Sequence, residues 1–161
     1  MKEETMTKYS EQDIKHYTFE ELLSEKGYIV YTNVGTSMMP LLRQRRDIIE
    51  IRPVFERPSK YDVILYKRGS TYILHRVLRV LPEGGYLIAG DHNIFIERDI
   101  TDAMILGKMT RIIRNGREIR VDENFVYKVY SHIWVDFFPV KVFLLRGKGW
   151  LSRRVHALLG K

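Results

Sequence analysis

TYILHRVLRVLPEGGYLIAGDHN, residues 71–93, decides how the chain folds. It holds two runs of branched and aromatic residues, separated by Pro82, Gly84 and Gly85. Such side chains suit a pleated, half-buried surface, and the proline and glycines break regular structure between them. The reading is two β-strands. Residues two apart on a strand share a face, so His75 sides with Ile73 and Val77, and Arg76 with Leu74 and Leu78. The second run closes on Gly90 and Asp91, which have turn chemistry.

The same pattern extends in both directions. GYIVYTNV (27–34), RDIIEIRPV (46–54) and YDVILYK (61–67) read as strands. AMILGKMTRIIRNGREIRV (103–121) reads as two, joined at Asn115-Gly116, a dipeptide that tolerates positive φ and suits a tight hairpin. The expected fold is mainly β: a compact, antiparallel or mixed, barrel-like core over residues 31–121. Before it, residues 1–16 have no apolar period and are expected to be loose. YTFEELLSEKG (17–27) predicts one short helix, with Thr18 and Glu21 at capping-box spacing and Gly27 as its stop. From residue 122 the period changes. Phe125, Val126, Val129, Tyr130, Ile133, Trp134 and Phe137 fall on one helical stripe, expected to pack on the core. Pro139 interrupts it, and residues 140–161 resume as an amphipathic, aromatic, basic segment.

Composition narrows the function classes. The 161 residues suit about one domain. The absence of cysteine excludes disulfides, thiolate chemistry and cysteine-bound zinc, and neither a metal nor another cofactor is expected. The net charge of +7 is concentrated: seven Lys/Arg and one Asp lie between Phe125 and Lys161. A compact nucleic-acid binder carries its basic face on the core, so no nucleic acid is expected as partner, with binding through the basic tail the least favoured reading. The start, MKEETMTKYSEQD, is acidic and polar and has no signal-peptide pattern. The longest uncharged run, between Lys26 and Arg43, contains Gly27, Asn33, Gly35 and Pro40 and is too polar to span a bilayer. A cytoplasmic protein, or one peripheral at a membrane, is expected. Residues 140–161 interleave aromatics with cations and suit either an anionic membrane surface or an amphipathic helix that closes the β-core with its cations solvated.

Three short motifs carry chemistry. In VGTSMMP (34–40), Ser37 is either a turn residue or a nucleophile, and as a nucleophile it needs an adjacent base. His75 is either a hydrogen-bonded core histidine or that base, being matched to proton transfer near neutrality. Asp91 either bonds its own turn or orients His75.

Taken in order, GTSMMP, LHRV and GDHN resemble the boxes of the serine-peptidase clan that includes type I signal peptidases and LexA-like self-cleaving repressors. The resemblance covers about residues 31–121. It implies Ser37 as nucleophile, His75 as general base directly before Arg76, and Asp91 as the acid on His75. Histidine at the base position is similar to the endoplasmic-reticulum and archaeal-type branch, which carries a second acid six residues on, here Glu97, with Asp99 and Asp102 nearby. His92 is read as a turn residue. Met38 and Met39 would line an apolar cleft for an extended peptide or preprotein. The Ser37 amide would be the oxyanion donor. The supporting hydroxyl two residues earlier in some relatives is replaced by Gly35, so either the Thr36 hydroxyl helps or the single backbone donor suffices. The implied activity is serine endopeptidase. The alternative is an inactive relative that binds peptides.

Overall fold

The computed structural model describes residues 17–143. The expectations for residues 1–16, and for the tail beyond residue 143, lie outside the described residues. Helix α1 (Phe19–Lys26) opens with a capping box: the Thr18 hydroxyl accepts from the Glu21 amide, and the Glu21 carboxylate accepts from the Thr18 amide. It stops at Gly27, whose φ of 73° is left-handed and disfavoured for a residue with a Cβ.

Among the described residues eight strands follow: β1 (Ile29–Thr32), β2 (Ile48–Pro53), β3 (Val63–Arg68), β4 (Thr71–Val80), β5 (Tyr86–Ala89), β6 (Glu97–Ile100), β7 (Ile105–Arg114) and β8 (Arg117–Arg120). They form one sheet in the order β1-β2-β7-β3-β4-β5-β6, with β8 also on β7. Every pairing is antiparallel. The path ends at β1 and β6, so the sheet is open. The barrel-like expectation is met in strand content and pairing but not in closure. The β7–β8 hairpin turns at Asn115 and Gly116, both with positive φ, as its tight geometry requires.

Strand β6 was not expected. Its residues, Glu97, Arg98, Asp99 and Ile100, carry little of the branched or aromatic signal. It is a short edge strand, and charge on an edge discourages pairing with other chains.

Alternation along the sheet sorts side chains into two apolar clusters. Val63, Leu65 and Leu74 join Leu23, Met38, Leu42, Ile49, Ile51 and Met109 on one side. Ile64, Tyr66, Val77, Tyr86, Ile88 and Ile100 form the other. The β3–β4 register pairs Ile64 with His75 and Val63 with Arg76. His75 therefore faces the second cluster, and Arg76 faces the first.

Helix α2 (Phe125–Asp136) closes the Arg76 side, and residues 138–143 are again helical. The expected packing stripe is corrected here. Tyr127, Ser131 and Val135 are buried; of the expected stripe, Tyr130 and Trp134 are half-buried against Asp91, whereas Phe125, Val126, Val129, Ile133 and Phe137 are exposed. The cause is polar. Arg76 is fully buried and donates to Ser131 Oγ (2.9 Å) and Tyr127 Oη (3.3 Å). A buried cation needs such partners, so the helix turns its hydroxyl-bearing face inward. Hydrophobic period alone carries no trace of that demand. Among the described residues, no helix is long and apolar enough to cross a membrane.

Candidate functional site

Ser37 sits in the turn between β1 and β2. The loop is closed by the Arg45 amide on Asn33 O (3.0 Å), and the buried Asn33 side chain donates to Gly35 O (3.3 Å). Asp47, fully buried, secures the exit by accepting from the Arg43 amide (2.8 Å) and from the Arg43 and Arg114 guanidinium groups. Met38 and Leu42 anchor the loop in the core, both fully buried. This corrects one expectation: Met38 holds the turn and does not line a cleft. Met39 points outward and is 37% exposed. Among the described residues, the Ser37 amide has no acceptor, while the Met39 amide is taken by Thr36 O (3.0 Å). The Thr36 side chain is exposed.

His75 is buried, and its Nδ1 lies 2.7 Å from Glu97 Oε1. The carboxylate can only accept there, so Nδ1 carries the proton and Nε2 keeps its lone pair. Tyr66 Oη donates to the same Glu97 oxygen (2.8 Å), and Arg68 pairs with the other (2.8 Å). Burial pushes the His75 pKa below its ordinary 6.5, although Glu97 works against the shift. The imidazole is therefore neutral at neutral pH. Burial and Glu97 together push the Tyr66 hydroxyl upward, so it stays protonated and a donor. Among the described residues no buried side-chain nitrogen or oxygen lacks a partner. Nε2 has none, so it is the ring atom that reaches solvent.

Gly90 joins serine to histidine. It lies one residue past the last β4–β5 pair, Arg76 with Ala89. A Cβ there would meet Ser37 O at 2.5 Å and His75 Nε2 at 3.0 Å. Only glycine lets the Ser37 main chain pack this closely on residue 90, against which Asn93 Nδ2 (2.9 Å from that Cβ) and the imidazole also lie. The His92 amide then bonds Ser37 O (2.7 Å), pinning the turn. His92 itself is an exposed turn residue, as expected. Gly90→Ala should push Ser37 away. Hydrogen exchange at the His92 amide is expected to accelerate at least about fivefold, the equivalent of one net hydrogen bond of ~1 kcal/mol. Unchanged exchange in a folded variant would show that the turn is held elsewhere.

Asp91 does not orient His75; that position belongs to Glu97. The Asp91 carboxylate makes a two-point pair with Arg76 (2.8 Å at each oxygen) and accepts from Tyr130 Oη (3.0 Å). Its main-chain oxygen accepts from Trp134 Nε1 (2.7 Å) and Lys141 Nζ (3.0 Å). Burial lowers the Lys141 pKa to about 8, against the pull of Asp91. Asp91 thus ties helix α2 and residue 141 to the turn that seats Ser37. Of the other acids, Asp99 is exposed, and Asp102 takes Tyr86 Oη and Arg57. Tyr66 and Arg68 were not anticipated in the site. They share a face of β3 by alternation, but only the β3–β4 register shows that this face is the histidine's. No protein-family model and no curated protein matches the chain.

Proposed function

We propose that the chain is a serine endopeptidase of the signal-peptidase-like kind, acting in the cytoplasm or at a membrane face. Ser37 is the nucleophile, His75 the general base, and Glu97 the residue that positions the imidazole. The supporting observation is the convergence of the Ser37 turn and His75 Nε2 on Gly90, with a carboxylate behind Nδ1. Ser37 Oγ attacks the scissile carbonyl carbon while Nε2 takes the hydroxyl proton. The tetrahedral oxyanion is met by the unoccupied Ser37 amide. Collapse breaks the peptide C–N bond, and Nε2–H gives its proton to the leaving amine. Water, deprotonated by Nε2, then releases the acyl group and restores the serine. The substrate is an extended peptide held by main-chain hydrogen bonds along a strand edge. Exposed Val34 and Met39 in the Ser37 loop, and Phe95 just before β6, supply apolar contacts.

One observation favours a second reading, a peptide-binding relative without activity: among the described residues, Ser37 Oγ has no hydrogen bond to Nε2. Catalytic contacts of this kind often tighten only with substrate bound. A fluorophosphonate probe separates the two. Stoichiometric labelling at Ser37 is expected, absent in Ser37→Ala and slowed by about 10²–10⁴-fold in His75→Ala. A folded protein that resists the probe from mildly acidic to alkaline pH is a binder and not an enzyme.

A further inference from the structure

The outward face of α2 is apolar. Val126, Val129, Ile133, Phe137 and Val140 are each at least 40% exposed. They succeed one another at three- and four-residue steps and form one continuous stripe. Phe125 and Phe143, also exposed, stand at its two ends. Soluble monomers rarely leave so long an apolar strip to water without a partner.

Charge indicates which partner. The only acid on α2 is Asp136, and it is turned to Lys60 (2.6 Å), Tyr61 and His132. From Phe137 to Lys161 the sequence has no Asp or Glu; Lys141 is turned inward to Asp91 O, and beyond the described residues the sequence carries Arg146, Lys148, Arg153, Arg154 and Lys161. The eighteen residues after Phe143 thus continue from the end of the stripe as an acid-free, cationic stretch. An apolar helix face beside cations is the pattern of an interfacial helix, each Lys or Arg near anionic lipid contributing about 1 kcal/mol.

We infer that the apolar face of α2, continued by Phe137 and Val140, is a docking surface for an anionic lipid bilayer. The inference does not depend on the peptidase reading. It does place the bilayer about one helix diameter, ~10–12 Å, from the Asp91 turn that the inner face of α2 holds.

The test uses the full chain and vesicles of phosphatidylcholine with or without phosphatidylglycerol. Flotation with the mixed vesicles, weakening with salt, is expected. Val129→Glu with Ile133→Glu should reduce it at least about tenfold, because carboxylates then face anionic headgroups. Both positions are exposed, so the fold is spared. Because the chain has no cysteine, Ile133→Cys and Glu83→Cys each give one labelling site. A fluorophore at position 133 should shift blue and be quenched by brominated lipid, while one at position 83 should not. Three results overturn the inference. One is no binding to either vesicle. Another is binding indifferent to the paired glutamates, which assigns it to the cationic stretch alone. The third is an apolar environment at position 133 without lipid: concentration-dependent if a second copy covers the stripe, concentration-independent if residues 144–161 do.

Discussion

Asp91→Ala is expected to destabilise the protein by about 3–5 kcal/mol, because it leaves a buried charge without its partner. Arg76 has no solvent exposure, and Asp91 supplies both of its short charge-assisted bonds on one side of the guanidinium. The remaining acceptors, Tyr61 O, Ser131 Oγ and Tyr127 Oη, are neutral. Tyr130 Oη loses its acceptor in the same step. A loss of this size is a large part of the ~5–15 kcal/mol that holds a domain together, so denaturant melts should show a much earlier midpoint. The double variant Asp91→Ala/Arg76→Leu separates the pair from general damage. Without a stranded charge, part of the loss should return, since buried ion pairs are often replaceable by apolar groups. If Asp91 instead served only His75, Asp91→Ala would keep its melting midpoint and lose turnover alone. That outcome would overturn the structural role argued for it.

Much of this arrangement could be read in the sequence, and the limits have physical causes. β1–β5, β7 and β8 follow from branched and aromatic runs bounded by proline and glycine, and α1 from Thr18, Glu21 and Gly27. Those signals are local, carried by a residue and its near neighbours. β6 escaped because an edge strand is specified by its pairing with β5, not by its own composition. Hydrophobic period points to the wrong face of α2, because the hydrogen-bond demand of Arg76, about fifty residues away in sequence, decides which face turns inward. Ser37 and His75 are singled out by motif, and the Ser37 main-chain oxygen and His75 Nε2 both lie against Gly90. Which carboxylate stands behind the histidine was not legible. Asp91 and Glu97 differ by a few residues in sequence, but the turn at 90–92 points one toward Arg76 and returns the other to the opposite side of the sheet. Met38 was assigned to a cleft for a similar reason: a one-residue step in a turn separates core from surface, and no pattern rule fixes the direction of that step.

Glu97→Gln is expected to lower the turnover number by about 10⁴-fold, the size seen when a catalytic imidazole is held in the wrong tautomer. Arg68 determines this outcome. It is a donor without acceptors, and it sits 2.8 Å from Glu97 Oε2. The new amide turns its oxygen to Arg68 and its NH₂ toward His75, and the Tyr66 hydroxyl, which donated to the lost oxygen, can accept from that NH₂ instead. That NH₂ donates to Nδ1, and the ring proton moves to Nε2, where the lone pair is needed. The fold should change little, because Glu97 lies on an edge strand and is partly exposed. The pH profile adds a second signature. Only neutral imidazole accepts the serine proton, so in the parent protein the rate is expected to rise with pH through a midpoint below 6.5, burial having lowered it. Glu97 opposes that lowering. Its removal moves the midpoint further toward acid while the plateau falls. A purely structural role for Glu97 predicts no acid shift of the midpoint in the residual activity. Rescue by Glu97→Asp, which restores the acceptor at shorter reach, should be partial. If Glu97→Gln retains turnover within about tenfold of the parent protein, the tautomer argument fails, and with it the assignment of Glu97 as the residue that aims Nε2 at Ser37.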